Sequence, residues 1–535
     1  MKYIRIMLCL LLAACTLLGC LTACDKGGQG QGTTAPTEVP TEAPTEAPAV
    51  RLTYSPDAEG MTDTVIVLPV DYDGSTVLLP DDPVREGYAF KGWYTEKNGE
   101  GDRVTISTAP DGDKTYYAKW TEAVDMTNRN HIRIGGFNGI TEDVATESDF
   151  AALAACGVDE IYMTWFHHDD GDGRYSLEKS MQYMAWMEKY GIQCWYNDWE
   201  LNELLKNHAP AEECMKLLSV YKDSPSYCGN YLQDEPAGDA FDTLIAAVTY
   251  FKELMPDYEM YINLLPNFAP AGAFVEGSFE KYIRAFVDRF PLSYVSQDFY
   301  PIDISGKKRN ISTSYYASLY TEACAARDTG KEAWMYLYTM RDTVNAVKDY
   351  EPTICDVRFE AGNALAYGMN HLSYYCFDCP PSYARSTSFG MLKDHERTSL
   401  FDVGVQITKE IKALSEVFPR YLWQDVCYTG GGKIARTAGK TLPAAADALP
   451  FEVTTDGDLL IGIFDEANGD GCAYVFANNT DLNKQDQSVT VSFYIPEAQQ
   501  LLAHIGTETV KLTAEGGTYT ITLSCGQFCF LEVIR

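Results

Sequence analysis

The sequence predicts a multidomain α/β protein whose largest part is a (β/α)8 TIM barrel, with a small β module before it and a C-terminal β-sandwich after it. Three observations carry that prediction. Between Ile132 and about Trp423, apolar runs of strand length alternate with helix-length segments, the pattern of βα units around a parallel sheet. At 535 residues the chain is too long for one core. The stretch Gly229-Asn230-Tyr231-Leu232-Gln233-Asp234-Glu235-Pro236 ends an apolar strand in two carboxylates and a proline that cannot extend the ladder. In a closed barrel, that strand end lies at the lip where active sites are built.

Composition narrows the partners. Forty-two basic residues against 76 acidic ones leave a formal charge of -34, the wrong sign for nucleic acid and no obstacle to a neutral glycan. The 36 Tyr and 8 Trp offer flat rings for sugar faces, although most such rings serve as core. Of 16 cysteines, Cys9, Cys15 and Cys20 fall in the N-terminal leader and the rest are thinly spread. Cys376-Phe377-Asp378-Cys379 is a lone CxxC with no second pair at zinc spacing. The thiols are expected free and buried, and neither metal nor cofactor is expected.

Met1 to Cys24 places Lys2 and Arg5 before an apolar run from Ile6 to Leu21 and small residues before a cut. Its end, Leu21-Thr22-Ala23-Cys24, resembles a bacterial lipoprotein lipobox. That resemblance implies loss of residues 1–23, lipidation of Cys24 and a chain anchored to the membrane at the cell surface. Leu18-Gly19-Cys20 is the competing cut. Residues 24–50 end in Pro-Thr-Glu-Ala-Pro-Thr-Glu-Ala-Pro from Pro40, a composition that buries no core and stays extended as a stalk.

Residues 51–122 read as a small β module. Gly87-Tyr88-Ala89-Phe90-Lys91-Gly92-Trp93-Tyr94 and Thr115-Tyr116-Tyr117-Ala118-Lys119-Trp120 alternate aromatic with small or polar residues, as half-buried strands do. They resemble the internalin-type B repeat, also called the Listeria–Bacteroides repeat, whose marks are Gly-Tyr-x-Phe-x-Gly-Trp-Tyr and a closing Tyr-Ala-Lys-Trp. The resemblance implies a β-grasp-like spacer or adhesion unit with no chemistry. Trp93 and Trp120 read as core rings.

Residues 125–424 are expected to form the barrel, with strands starting near Ile132, Glu160, Ile192, Gly229, Glu259, Ser293, Glu332 and His371. That is an advance of about 34 residues per unit, as in a barrel of ordinary size. Amphipathic segments such as Leu177 to Tyr190 and Phe279 to Phe290 fill the gaps. The expected strand ends gather polar and aromatic candidates for a ligand groove: Asn138, Trp165, His167, His168, Trp195, Tyr196, Asp198, Asn263, Asp298, Tyr300, Trp334, Tyr336, Tyr338 and Tyr375. Each has a plainer reading, since His167, His168, Asp169 and Asp170 suit a solvated loop and the strand-seven rings suit a barrel filling. Adjacent His167 and His168 point to opposite faces, which speaks against a metal pair. Residues 425–535 carry short strands separated by Gly, Asn and Asp, the pattern of an antiparallel sandwich. Leu523-Ser524-Cys525-Gly526-Gln527-Phe528 resembles the last hairpin of domains that trail glycosidase barrels.

Glycosidic cleavage needs an acid on the leaving oxygen and a second group as nucleophile or base. Glu235 followed by Pro236 resembles the acid/base motif of the clan that includes the β-galactosidases, where Asn-Glu-Pro is usual and Asp-Glu-Pro stands here. That clan's nucleophilic glutamate closes strand seven, but the only acid in Lys331 to Tyr338 is Glu332, at the strand start. Adjacent Asp-Glu also resembles the hexosaminidase-type glycosidases. This implies that Asp234 orients the substrate's acetamido group, Glu235 is the general acid, and Tyr300 or Tyr338 assists. The alternative makes Asp298 the base for an inverting water, which requires carboxyls roughly 6.5–9.5 Å apart. The rival to a glycoside hydrolase is a catalytically inactive glycan-binding or adhesion protein that keeps Trp165, Trp195 and Tyr300 and tolerates loss of Glu235.

Overall fold

The computed structural model describes residues 50–69, 72, 79–106, 108–126, 131–137, 140, 145–168, 176–305, 308–343, 350–378 and 387–535. Cys24 with the leader and stalk, Asn138, Asp169 and Asp170 lie outside them. Eight parallel strands build the centre: β1 Arg133–Phe137, β2 Glu160–Trp165, β3 Gln193–Asn197, β4 Tyr227–Asp234, β5 Glu259–Asn263, β6 Tyr294–Gln297, β7 Glu332–Tyr338 and β8 His371–Tyr375. They pair in the order β5-β4-β3-β2-β1-β8-β7-β6. The Leu264 amide donating to the Ser296 carbonyl joins β5 to β6 and closes the ring.

Helices follow each strand: α1 Glu147–Cys156, α2 Leu177–Tyr190, α3 Trp199–Lys206, α4 Ala211–Leu218, α5 Phe241–Leu254, α6 Phe279–Arg289, α7 Tyr315–Thr329, α8 Ile354–Ala366 and α9 Ser399–Lys412. Their ends obey local chemistry. Ser176 caps α2 through the Lys179 amide, and Gly191 ends it in the left-handed conformation. Thr353 and Asp356 form a reciprocal capping box on α8.

The barrel is filled by rings around one buried carboxylate. Glu160 pairs with Arg133 at 2.6 Å and His371 at 3.1 Å, and accepts from the Tyr162 hydroxyl and the Trp195 indole at 2.7 Å each. Burial alone would raise its pKa, but His371 and Arg133 hold it well below the usual carboxylate range. Glycines make room for the rings: a Cβ on Gly135 would stand 2.6 Å from the Tyr162 ring, and one on Gly229 2.5 Å from Trp195. Trp334 stacks on Tyr294 with centroids 3.9 Å apart.

This packing corrects four expectations about the lip. Trp195 and Trp334 are third in their strands, so they fill the barrel's lower interior instead of its mouth. Tyr336 is buried one layer up, its hydroxyl hydrogen-bonded to Tyr261 at 2.6 Å. Tyr196 follows Trp195 and so points the other way, into the helix layer against Phe166, Tyr221 and Tyr227.

The C-terminal region forms two antiparallel sheets. Six strands run in the order Tyr421–Thr429, Leu459–Glu466, Cys472–Asn478, Phe528–Ile534, Gln500–Ile505, Glu508–Lys511, and three more in the order Val453–Thr455, Val489–Phe493, Tyr519–Leu523. Phe476, Val491, Phe493 and Leu531 pack in one core between them. The outer face of the larger sheet lies on α8, where a Cβ at Gly462 would meet the Ala366 carbonyl at 2.3 Å. The N-terminal module is a five-stranded mixed sheet over Tyr54, Phe90, Trp93 and Tyr116. Trp93 is buried there, and the Trp120 indole donates to the Pro56 carbonyl at 2.8 Å. It docks on the sandwich: Lys91 donates to the carbonyls of Glu466, Ala467 and Gly469, and Arg103 pairs with Asp470 at 2.6 Å.

Candidate active site

Strand β4 delivers Asp234 and Glu235 to the barrel mouth, where both are open to solvent. Glu235 is the unusual residue, with φ of 42° in the left-handed region that side chains disfavour. It is braced on both sides. Its amide donates to the Asn263 carbonyl at 2.9 Å, and the Pro236 carbonyl accepts from the Tyr282 hydroxyl at 2.7 Å.

Asn263 ends β5 and bridges the acids. Its amide donates to Asp298 at 2.9 Å and reaches Asp234 at 3.4 Å. The Ser296 hydroxyl donates to its Oδ1 at 3.0 Å, and Ser296 in turn is hydrogen-bonded to Tyr261. Asp298 follows β6, and its carboxyl and that of Glu235 act on each other's proton.

Three carboxyls in one corner cannot all ionise freely. Burial, then the charges of Glu235 and Asp234, pushes Asp298 well above the usual carboxylate range. Crowding by protein, then Glu235, pushes Asp234 up to about 6, against the opposing bond from Asn263. Glu235 is raised by the same crowding, while Asp298 acts the other way. Solvent access to Asp234 and Glu235 tempers these shifts. The Glu235–Asp298 pair therefore holds a proton at higher pH than an isolated carboxyl would.

The other wall is aromatic. Tyr300 lies against Tyr375 and Tyr338, each at 5.1 Å between centroids, and Tyr375 against Phe137 at 5.8 Å. Phe137 also meets Tyr231 and Tyr336. Tyr338 is buried beneath this wall, and the Tyr375–Cys376 peptide is cis. Strand β7 ends without an acid, and Asp342, four residues further on, is buried.

Of the expected ligand residues, Asn263, Asp298 and Tyr300 gather with Asp234 and Glu235, Tyr375 packs on Tyr300 with Tyr338 buried behind, and Trp165 stands on the rim, 39% exposed. Besides Trp195, Tyr196, Trp334 and Tyr336, two more do not join them. Asp198 is fully buried as the cap of α3, accepting from the Leu201 amide and the Tyr221 hydroxyl. His168 is bonded to that same Asp198 at 2.8 Å. An Asp immediately before an amphipathic segment is a cap signal, and that signal identifies Asp198. The His167 amide is held by Ser180 on α2. Phe137 and Tyr231 are wall residues that their own strands' period of two would place inward, though neither was among the expected groove residues.

Residues 51–119 match the model of the Listeria–Bacteroides repeat domain. This module is a Listeria–Bacteroides repeat. No curated protein matches the chain by sequence. Among solved structures, the chain is similar to a family 5 glycoside hydrolase from Bacteroides vulgatus, at TM-score 0.44 and 11% identity over 75% of this chain and 89% of that one. It is also similar to a family 39 glycoside hydrolase from Bacteroides cellulosilyticus, at TM-score 0.43 and 14% identity over 78% and 84%. A family 30 endoxylanase from Clostridium papyrosolvens matches at TM-score 0.41 and 11% identity over 76% and 96%. Likenesses this distant carry no chemistry to the repeat-bearing chain.

Proposed function

We propose that the chain is a glycoside hydrolase for N-acetylhexosaminides, with Glu235 as general acid and the substrate's own acetamido group as nucleophile. The observation that carries this reading is the one-sided placement of the acids. Asp234, Glu235 and Asp298 share the β4–β6 side, while the β7, β8 and β1 strand ends present rings. The described end of β7, across the mouth from Glu235, presents rings and no second carboxylate. An acetamido nucleophile needs no second carboxylate across the bond.

In this mechanism Glu235 gives its proton to the leaving oxygen as the acetamido oxygen attacks the anomeric carbon and the glycosidic bond breaks. Asp234, ionised, accepts from the acetamide N–H and offsets the positive charge of the cyclic intermediate. Water then opens that intermediate, giving its proton back to Glu235, with net retention. Asp298 supplies Glu235 with the shared proton, and Tyr300 lines the acetamide pocket. The lipobox-like Cys24 and the stalk support placing this activity on the outer cell surface.

The test is turnover of an aryl N-acetylhexosaminide against the same glycoside with a 2-hydroxyl in place of the acetamide. Cleavage of the first alone, lost in Glu235→Gln, is expected; equal cleavage of both sinks substrate assistance. A second reading, glycan binding without cleavage, is favoured by the acid-free end of β7. It wins if nothing is cleaved while Glu235→Ala and the parent bind one glycan equally.

A further inference from the structure

Among the described barrel residues, three aromatic rings are more than a third exposed, and all three stand at the end of the barrel that carries the acids. Trp165, 39% exposed, closes β2; Trp199, 60% exposed, opens α3 just beyond β3; and Phe268, 65% exposed, follows β5. A single ring left in water is ordinary, but three gathered at the end of the barrel that carries the acids suit a ligand.

We infer that the mouth is the middle of a longer cleft that binds a linear neutral oligosaccharide across Glu235 and cleaves it internally. This rests on the reading of the mouth as glycan-cleaving. Strands β2, β3, β4 and β5 are consecutive neighbours about 4.8 Å apart, so Trp165 and Trp199 stand on one side of Asp234 and Glu235 at the end of β4, and Phe268 stands on the other. Rings on both sides provide for sugars on both sides of the broken bond, whereas an enzyme that trims single end units needs a platform on one.

The backbone that carries Trp199 and the ring of Phe268 are set in place before any sugar arrives. Trp199 follows Asp198, which its bonds to Leu201 and Tyr221 pin at the α3 start. Phe268 is held edge-on by Phe299, with centroids 5.1 Å apart and an interplanar angle of 88°. Flat rings suit the C–H faces of pyranoses, and held rings lose little freedom on binding. The -34 charge and the three acids at the mouth weigh against a polyanionic chain, which leaves neutral glycans.

The test uses the protein and its Glu235→Gln form on an array of linear neutral oligosaccharides of two to eight units, with the Trp199→Ala/Phe268→Ala double variant in parallel. Expected are affinity that rises with chain length, a loss of tenfold or more for the double variant on the longest ligands with little loss on disaccharides, an unchanged Tm, and internal products from the parent. Length-independent binding, equal binding by the double variant, or capture of only acidic polymers or proteins overturns the inference. Length-dependent binding without any turnover, still lost in the double variant, removes the hydrolase reading and internal cleavage with it while the platform stands.

Discussion

The side-chain amide of Asn263 donates to Asp298 at 2.9 Å while the backbone carbonyl of the same residue accepts the Glu235 amide. One residue thus sets both the strained backbone of the acid and the position of its carboxyl neighbour. Asn263→Ala removes the side-chain half alone, so Asp298 and Asp234 repel without a shared donor. The expected outcome is a loss of roughly 10²-fold in kcat/KM, the scale of a misplacement of about 1 Å. A change within threefold would separate Asn263 from the site.

Glu235→Gln keeps size and hydrogen bonding but cannot give a proton. Its kcat/KM should fall by roughly 10²–10⁴-fold on substrates with poor leaving groups. Aryl glycosides with strongly acidic phenols need less protonation, so the loss there should be much smaller. A uniform loss over both substrate types argues against an acid role.

The kcat/KM profile of the free enzyme should fall on the acid side near pH 6, because Asp234 must be ionised to accept from the acetamide and is pushed up to about 6. On the alkaline side it should fall as the Glu235–Asp298 pair gives up its shared proton. In Asp234→Asn the acid limb should move down or vanish while the alkaline limb remains. An unmoved acid limb assigns that titration to another group.

The sign for stability is opposite to that of most surface carboxylates. The folded pKa of Asp298 and Asp234 lies above the unfolded value of about 4, so the native state binds more protons than the unfolded one. That contribution is fully present below about pH 4 and is lost as pH rises through the folded values. Asp298→Asn should therefore raise Tm at pH 7 by roughly 1–2 °C while lowering activity, a stability cost located at the site. A Tm lowered equally at pH 5 and 7 would mean that packing, not charge, dominates at Asp298.

Strand starts were legible because barrel strands carry apolar runs between turn residues: β2, β5, β7 and β8 begin where expected, and the others within two residues. Period two also placed Asp298 and Tyr300 together at the mouth. Height along the strand was the missing coordinate. Trp195 and Trp334 face inward as alternation demands, but position three of a strand lies below the lip. Asp198 shows the opposite limit, a polar residue at a strand end claimed by the next helix as its cap. Trp199 and Phe268 gave no signal, because an exposed ring and a buried one look alike until the fold fixes exposure.

The repeat module is seated on the sandwich through one lysine and one arginine. The Lys91 ammonium gives its protons to three carbonyls of the 466–469 turn, and Arg103 meets Asp470. Hydrogen bonds to a charged group contribute about 1.5–3 kcal/mol each in favourable settings, so two such side chains suffice to hold a small module. Lys91→Met with Arg103→Met should speed proteolysis between residues 123 and 131 and widen the scattering envelope, with glycan turnover unchanged. Unaltered proteolysis would show that the apolar contacts hold the seat.

Glu160 tests whether the barrel depends on its buried charge. Its carboxylate serves Arg133, His371, Tyr162 and Trp195 at once, so all four lose it together in Glu160→Ala, with Gln193 left to Arg133 and the Tyr162–His371 bond left in place. Removing one member of a buried ion pair costs about 3–5 kcal/mol, because the charge left behind has no water to turn to. Here Arg133 is partly exposed and recovers some hydration, which sets the lower end of that range. The urea midpoint should fall accordingly with little change in slope. Glu160→Gln, which keeps an acceptor for the tyrosine and the indole but not the charge, should lose less. If the two variants are equally destabilised, the charge matters more than the hydrogen bonds; if neither is, the ring packing alone holds the barrel floor.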